Sequence, residues 1–168
     1  MKKIIISTCI LYYIPMIAQV SVGKTNVTNT SVSLEFSTSE NRGLILPYVQ
    51  DKSGINQNGS MIYDIVDHKV KFLKNGNWFD LSVDNTGTID ITIQSAKIEN
   101  STAKVCIGTV SSTSGILVLE DNNKAMILPK VASPHLNIIN PSAGMIVYDT
   151  TKHQLAVYNG TVWSFWMP

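Results

Sequence analysis

Asn41 to Val49 reads NRGLILPYV, and Asn123 to Val131 reads NKAMILPKV. Each block is followed by a short step into Tyr-Asp (Met61 to Asp64, Ile146 to Asp149), then by a His, an Asn-Gly and a Trp. Gly23 and Gly108, Glu35 and Glu120, Tyr63 and Tyr148, His68 and His153, and Trp78 and Trp163 each stand 85 residues apart, a constancy that duplication of one unit explains. Duplication settles the architecture first, because each copy is a supersecondary element that must bury its apolar face against a neighbour. The 168 residues divide accordingly into 1–19, a leader; 20–82, repeat one; 83–104, a linker; and 105–168, repeat two.

Both copies open on a strand. In repeat one Val32, Leu34 and Phe36 alternate with Ser31, Ser33 and Glu35, the period of a sheet with one wet face. In repeat two Ile116-Leu117-Val118-Leu119 is apolar throughout, which predicts a strand covered on both faces and a more deeply buried second copy. Leu44 to Pro47 and Met126 to Pro129 come next; proline has no ladder donor, so each block is expected to be an edge strand that leaves its sheet at the Pro. Loops of unequal length follow, Gln50 to Asn58 and Ala132 to Ala143, and Ser133-Pro134-His135-Leu136 predicts one helical turn. Asp64 and Asp149 are placed to open hairpin turns by accepting backbone N–H groups two residues on. Asn75-Gly76 and Asn159-Gly160 suit tight primed turns with positive φ, and Trp78 to Leu81 and Trp163 to Trp166 close the units. The predicted fold class is all-β: two tandem meander or β-hairpin repeats joined by a linker. Within that linker Ile89, Ile91 and Ile93 alternate with polar residues and predict one short strand, with linker or a brief helix beyond it.

Met1-Lys2-Lys3 followed by the apolar run Ile4 to Ile17 and by Ala18-Gln19 reads as a secretory signal peptide. The run is shorter than the roughly 20 residues of a membrane-spanning helix, so no membrane span is expected after cleavage. Ile6-Ser7-Thr8 is a poor context for lipid attachment at Cys9, which leaves Cys106 as the mature chain's single cysteine and allows no internal disulfide. Cys106, between Val105 and Ile107, reads as a small buried apolar side chain. With 13 basic and 12 acidic residues over the whole chain and no basic cluster, nucleic acid is excluded as a partner. Two units of about 60 residues are each marginal for a self-sufficient core, so association with further copies is expected to complete them.

The order Val22-Gly23-Lys24, strand, Asn41 to Pro47, then Gly144-Met145-Ile146-Val147-Tyr148-Asp149-Thr150-Thr151 and Tyr158-Asn159-Gly160-Thr161-Val162-Trp163 resembles a class of functionally uncharacterised secreted repeat proteins of Bacteroidetes, flavobacteria especially, related to tail-fibre-like surface proteins. The resemblance covers nearly all of the mature chain. It implies a fibre-like, trimeric, non-catalytic surface protein that is exported to the periplasm, the cell surface or the medium. No family active-site residues exist to carry over. Against that resemblance the sequence reads as shorter than the fibre-like members and as departing from them in carrying no expected C-terminal self-cleaving chaperone domain.

Asp64 with His68 and Asp149 with His153 are the residues that could suggest acid–base chemistry, yet the same spacing inside a hairpin loop in both copies is explained by turn geometry. No His or Cys spacing resembles a metal site. The reading is therefore not an enzyme, with no catalytic residue, metal or cofactor. Tyr158, Trp163 and Trp166, with Phe165 among them, are the candidate ligand-binding residues: a stacking platform for a surface glycan, or a contact for a protein, against the simpler use of the same rings in a core or subunit interface. Asp149-Thr150-Thr151 matches a short O-glycosylation acceptor pattern of the same bacteria. The function expected is structural or adhesive; a carbohydrate-binding module is the alternative, and a hydrolase the remoter one.

Overall fold

The computed structural model describes residues 19–98, 100 and 102–167, so the expected signal segment up to Ala18 lies outside the described residues. Repeat one contributes β1 (Val20–Val22), β2 (Val32–Phe36), β3 (Leu44–Ile45), β4 (Tyr48–Val49), β5 (Met61–Asp64), β6 (Lys69–Lys74) and β7 (Asn77–Asp80). The helical turn α1 (Thr92–Ser95) follows. Repeat two contributes β8 (Val105–Gly108), β9 (Leu117–Glu120), β10 (Ala125–Ile127), β11 (Lys130–Val131), the turn α2 (Pro134–Asn137), β12 (Met145–Asp149), β13 (Gln154–Tyr158) and β14 (Trp163–Trp166). The fold is all-β and repeating, fibre-like in its succession of short strands, and β1 to β7 recur in order as β8 to β14.

Register is shared by the two meanders. Tyr63 pairs with Val70 and Asp64 with Lys69 as Tyr148 pairs with Leu155 and Asp149 with Gln154; Leu73 meets Trp78 as Tyr158 meets Trp163. The turns set this register. His68 (φ 55°) and His153 (φ 53°) take the left-handed position that closes each first loop, a conformation His tolerates better than β-branched residues do. Asn75 (φ 51°) and Gly76 (φ 71°) form the expected primed turn. At the Asn159-Gly160 turn of repeat two Gly160 has positive φ and Asn159 does not; Asn159 instead accepts Thr161 and Val162 N–H on its Oδ1, at 2.9 and 2.7 Å. A side chain does there what the backbone does in repeat one.

The units are not meanders throughout. β1 and β2, β2 and β10, β4 and β5, β8 and β9, and β11 and β12 all pair in parallel. The cause lies in the repeated proline blocks. At Pro47 the chain leaves β3, which is antiparallel to β12, and enters β4 beside β5; at Pro129 it leaves β10, beside β2, and enters β11 beside β12. Neither proline can donate, but their carbonyls accept Tyr63 N–H (2.9 Å) and Tyr148 N–H (2.8 Å). The predicted exit at each Pro is therefore present, and its consequence is interlocking: a strand of each repeat completes a sheet of the other.

The core lies where the sheets meet. Leu46, Tyr63, Val70 and Leu81 of repeat one pack with Ala143, Ile146 and Val157 of repeat two, all buried. At about 1.5–3 kcal/mol for each large apolar side chain removed from water, this cluster holds the repeats together. A second cluster, Val131, Ile138, Met145, Val147 and Ala156, lies within repeat two beneath Tyr158 and Trp163.

Two expectations are corrected. The more deeply buried opening strand is β2, not β9: Val32, Ser33, Leu34 and Glu35 are all buried, whereas Ile116 and Leu117 are exposed. β2 is central between β1 and β10, while β9 has only β8 beside it. Residues 89–91 form no strand, and α1 covers Thr92 to Ser95. Asp90 Oδ1 accepts Thr92 N–H at 2.9 Å, a local bond that competes with strand pairing, and Ile89 packs against the core. The helical turn predicted at Ser133 to Leu136 is present as α2. Cys106, expected to be buried, is half-buried and free.

Candidate assembly surface

Tyr63 and Val70 face the shared core, so strand alternation turns Ile62, Asp64, Lys69, Lys71, Leu73, Trp78 and Asp80 to the opposite, outer face of repeat one. That face is tied by charge. Lys71 Nζ lies 2.5 Å from Asp67 and 3.0 Å from Asp80, Lys69 lies 2.7 Å from Asp80, and Lys52 lies 2.6 Å from Asp64. Burial alone would raise the Asp64 carboxyl's pKa, but the Lys52 ammonium and the N–H groups of Asp67 and Val66 hold it below the usual carboxylate range. Burial alone would lower the Lys71 pKa, but the bonds its ammonium donates to Asp67 and Asp80 outweigh this and hold it above the usual lysine range.

The same face of repeat two keeps Asp149 and Gln154 at the first turn but is otherwise apolar, and Met145, Val147 and Ala156 on it are buried in the second core cluster. At the matching positions Lys71 becomes Ala156, Leu73 becomes Tyr158 and Asp80 becomes Phe165. The rings form a row: Tyr158 and Trp163 centroids are 5.2 Å apart, Trp163 and Phe165 6.4 Å, and His135 of α2 stands edge-on to Phe165 at 5.6 Å. Phe165 is 39% exposed, Leu136 72% and Ile139 86%. The substitution of charge by aromatic surface is what distinguishes the copies.

Of the three candidate ligand-binding residues, the structure brings Tyr158 and Trp163 together with Phe165. It sets Trp166 on the other face of β14, where its Nε1 donates to Leu81 O at 2.5 Å and Ser164 Oγ accepts Val83 N–H at 3.3 Å. Trp166 fastens the last strand to the end of repeat one. A single three-ring platform of Tyr158, Trp163 and Trp166 does not form.

The Asp-His pairs serve the turns. Asp64 Oδ1 accepts Val66 and Asp67 N–H; Asp149 Oδ1 accepts Ser133, Thr151 and Lys152 N–H, and its Oδ2 accepts Gln154 Nε2. Both carboxylates are buried. His153 instead lies near Tyr148, with Nδ1 3.4 Å from the phenol oxygen. Among the described residues no group of three or more His, Cys, Asp or Glu is placed to hold a metal ion, and no helix is long and apolar enough to cross a membrane.

Sequence reasoning missed the junction between repeats. Asn159, fully buried, donates from Nδ2 to Asp84 O and Oδ1 at 2.9 and 2.8 Å, and its carbonyl accepts the Tyr63 hydroxyl at 2.7 Å. Tyr48 OH donates to Ala143 O at 3.0 Å. Gly87 lies against this node: a Cβ there would overlap the Asn159 carbonyl and meet the Tyr63 hydroxyl at 2.9 Å. Burial pushes the Tyr63 phenol up to about 12. The signal was present in Asp84-x-Thr86-Gly87, a motif that local turn chemistry alone explains equally well.

The segment that carries the apolar face is also the one with a known likeness. Residues 106–167 match the family described as phage tail like trimerisation region. No curated protein and no solved structure matches the chain. The match relates repeat two to tail-fibre-like proteins, in a region whose described role is structural rather than enzymatic.

Proposed function

We propose that this chain is an exported, non-enzymatic structural protein of the fibre type, and that repeat two assembles it into a homotrimer. The observation that carries the reading is the coincidence of the trimerisation-region match with unburied apolar surface: within 106–167, Ile116 is 63% and Trp166 44% exposed, and Phe165, Leu136 and Ile139 join them. Apolar surface of this kind marks an interaction site, and folding linked to association gains stability from it. An adhesive role at the cell surface, toward a glycan or a protein, is the extension of this reading.

Sedimentation of the mature protein at micromolar concentration tests it, with a particle of three chains expected. Removal of Trp163 to Pro168 should lower particle mass and melting temperature together. A stable monomer with a cooperative melt refutes the assembly. Export is tested separately by fractionation and by the N-terminal residue of the exported chain.

The ring row Tyr158, Trp163 and Phe165 favours one second reading, a carbohydrate-binding module. Saturable polysaccharide binding by the assembled particle, lost in Trp163→Ala while particle mass is kept, would support it over a purely structural role.

A further inference from the structure

Duplication shows how one repeat covers the other, and it leaves the same joint open at the far end. In repeat two the outer edge of β12 is covered twice: β11 pairs with Tyr148 and Asp149, and β3 of repeat one pairs with Met145 and Ile146, extended by Leu46 N–H donating to Gly144 O at 3.0 Å. In repeat one the outer edge of β5 is covered once. β4 pairs with Tyr63 and Asp64, and no described strand lies beside the preceding half at Ser60 and Met61. The glycines report the same difference. A Cβ on Gly144 would meet Tyr63 at 3.0 Å and Tyr48 at 3.4 Å, whereas one on Gly59, its counterpart, would meet nothing within 4 Å.

The complementary piece is also open. β10 is the repeat-two counterpart of β3, and it pairs with β2 along one edge only. Ala125 N–H donates to Ser31 O, so alternation turns Met126 and Leu128 toward the free edge. Leu128, the counterpart of Leu46, makes no corresponding backbone bond among the described residues. Tyr148, the counterpart of the buried Tyr63, is only half-buried.

We propose that a second copy of this chain fills the open half-edge, its β10 pairing antiparallel with Ser60 and Met61 of the first, so that repeat two of each chain caps repeat one of the next. The register is copied from the internal joint: Ile127 opposite Ser60, Met126 opposite Met61, Leu128 N–H on Gly59 O, and the Tyr148 hydroxyl on Lys74 O. The contact is heterologous, since the two surfaces differ, and such contacts close into rings when the rotation permits. The inference rests on the homo-oligomer reading above and specifies which strands meet.

A crossed disulfide tests it. Ser60→Cys and Ile127→Cys are placed in separate full-length mature chains, each also carrying Cys106→Ser, then mixed, assembled and oxidised. The Ser60 and Ile127 positions form a non-hydrogen-bonded pair, whose Cα separation of about 4.5 Å suits a disulfide. A covalent pair of twice the chain mass is expected from the mixture and not from either chain alone. In the unmodified particle the Met61 and Leu128 amides should exchange about tenfold more slowly than in diluted monomer. A particle of normal mass with neither crossed bond nor protection overturns this pairing and leaves assembly standing. A protein that stays monomeric overturns both, and a crossed bond in particles larger than three chains upholds the pairing while refuting the trimer.

Discussion

Asp149→Ala should be among the most damaging single changes in repeat two, and its cost follows from the donors it strands. The buried carboxylate accepts Ser133 N–H at 3.1 Å, Thr151 N–H at 2.9 Å, Lys152 N–H at 3.4 Å and Gln154 Nε2 at 3.2 Å. Bonds to a charged group contribute about 1.5–3 kcal/mol each, but they do not add, because burying the carboxylate itself costs several kcal/mol. Thr151 and Lys152 are exposed and can bond water after the truncation; half-buried Ser133 is less free to do so. The net loss works out at about 2–3 kcal/mol. Asp149→Asn, which keeps an acceptor at Oδ1, should cost about half of that, and His153→Ala under about 0.5 kcal/mol. Burial alone would raise this carboxyl's pKa, but the Thr151 and Ser133 N–H groups, the Gln154 amide and the Lys152 N–H outweigh it and hold it below the usual range. Its stabilisation is thus present above the unfolded carboxylate pKa and is lost as pH falls through the folded one. Urea unfolding at fixed protein concentration, at pH 7 and near pH 3, reads both effects. The advantage of wild type over Asp149→Asn should shrink in acid. An alanine variant within 0.5 kcal/mol of wild type, or a gap to the Asn variant that widens in acid, would refute the reasoning.

Comparison of wild type with Glu35→Gln should show the same acid sensitivity in repeat one: Thr28 OH and the Lys24 ammonium lead the groups that hold the Glu35 carboxyl at about 2 against 4.5, so the wild-type advantage falls as pH drops between those values. The shift, taken whole, would be on the order of 3 kcal/mol, and solvent around half-exposed Lys24 reduces it to about 1–2, measurable as a pH-dependent urea midpoint. Gly87→Ala should destabilise by more than about 2 kcal/mol, since its Cβ overlaps the Asn159 carbonyl, whereas Gly76→Ala pays chiefly for positive φ; comparison of the two melts decides it. Phe165→Asp should halve or further reduce particle mass while a monomeric fold persists by circular dichroism, because the residue is already partly exposed; retention of full mass would show that this ring is outside the interface.

Spacing made the repeats legible because turn chemistry is local. Asp64 and Asp149, the left-handed His68 and His153, and the exits at Pro47 and Pro129 each act within a few residues, and the structure has them as read. What escaped the sequence was pairing between distant strands. Nothing in Leu44-Ile45 says that it lies on Met145-Ile146, and nothing in Met126-Ile127 says that it lies on β2. The fuller burial of β2 than of β9 reversed the order of their apolar content for the same reason: position in a sheet, not hydrophobicity alone, decided which was covered. Asn159 was read as backbone turn chemistry, and the side-chain contacts to Asp84 that make it a joint lie 75 residues away. The candidate rings were found by composition, but their division between the faces of β14 required the register of β13 against β14.

The divergence of the outer faces carries the functional argument further than the repetition does. Two copies that share a register present equivalent positions on this face, and repeat one satisfies the charges there: Lys71, 9% exposed in its side chain, is enclosed by Asp67 and Asp80. A charge so enclosed resists burial against another chain, because a partner would have to replace the remaining water around Asp67 and Asp80 with equally good bonds. In repeat two Ala156 and Phe165 stand where Lys71 and Asp80 do: Ala156 is buried in the second core cluster, and Phe165 at its edge stays exposed and carries no such cost to its burial. The apolar surface that this face leaves exposed, at Phe165, has two uses, a ligand or another chain. The open half-edge of β5, cut to the shape that β3 already fills on β12, favours another chain, since a small ligand has no strand to offer.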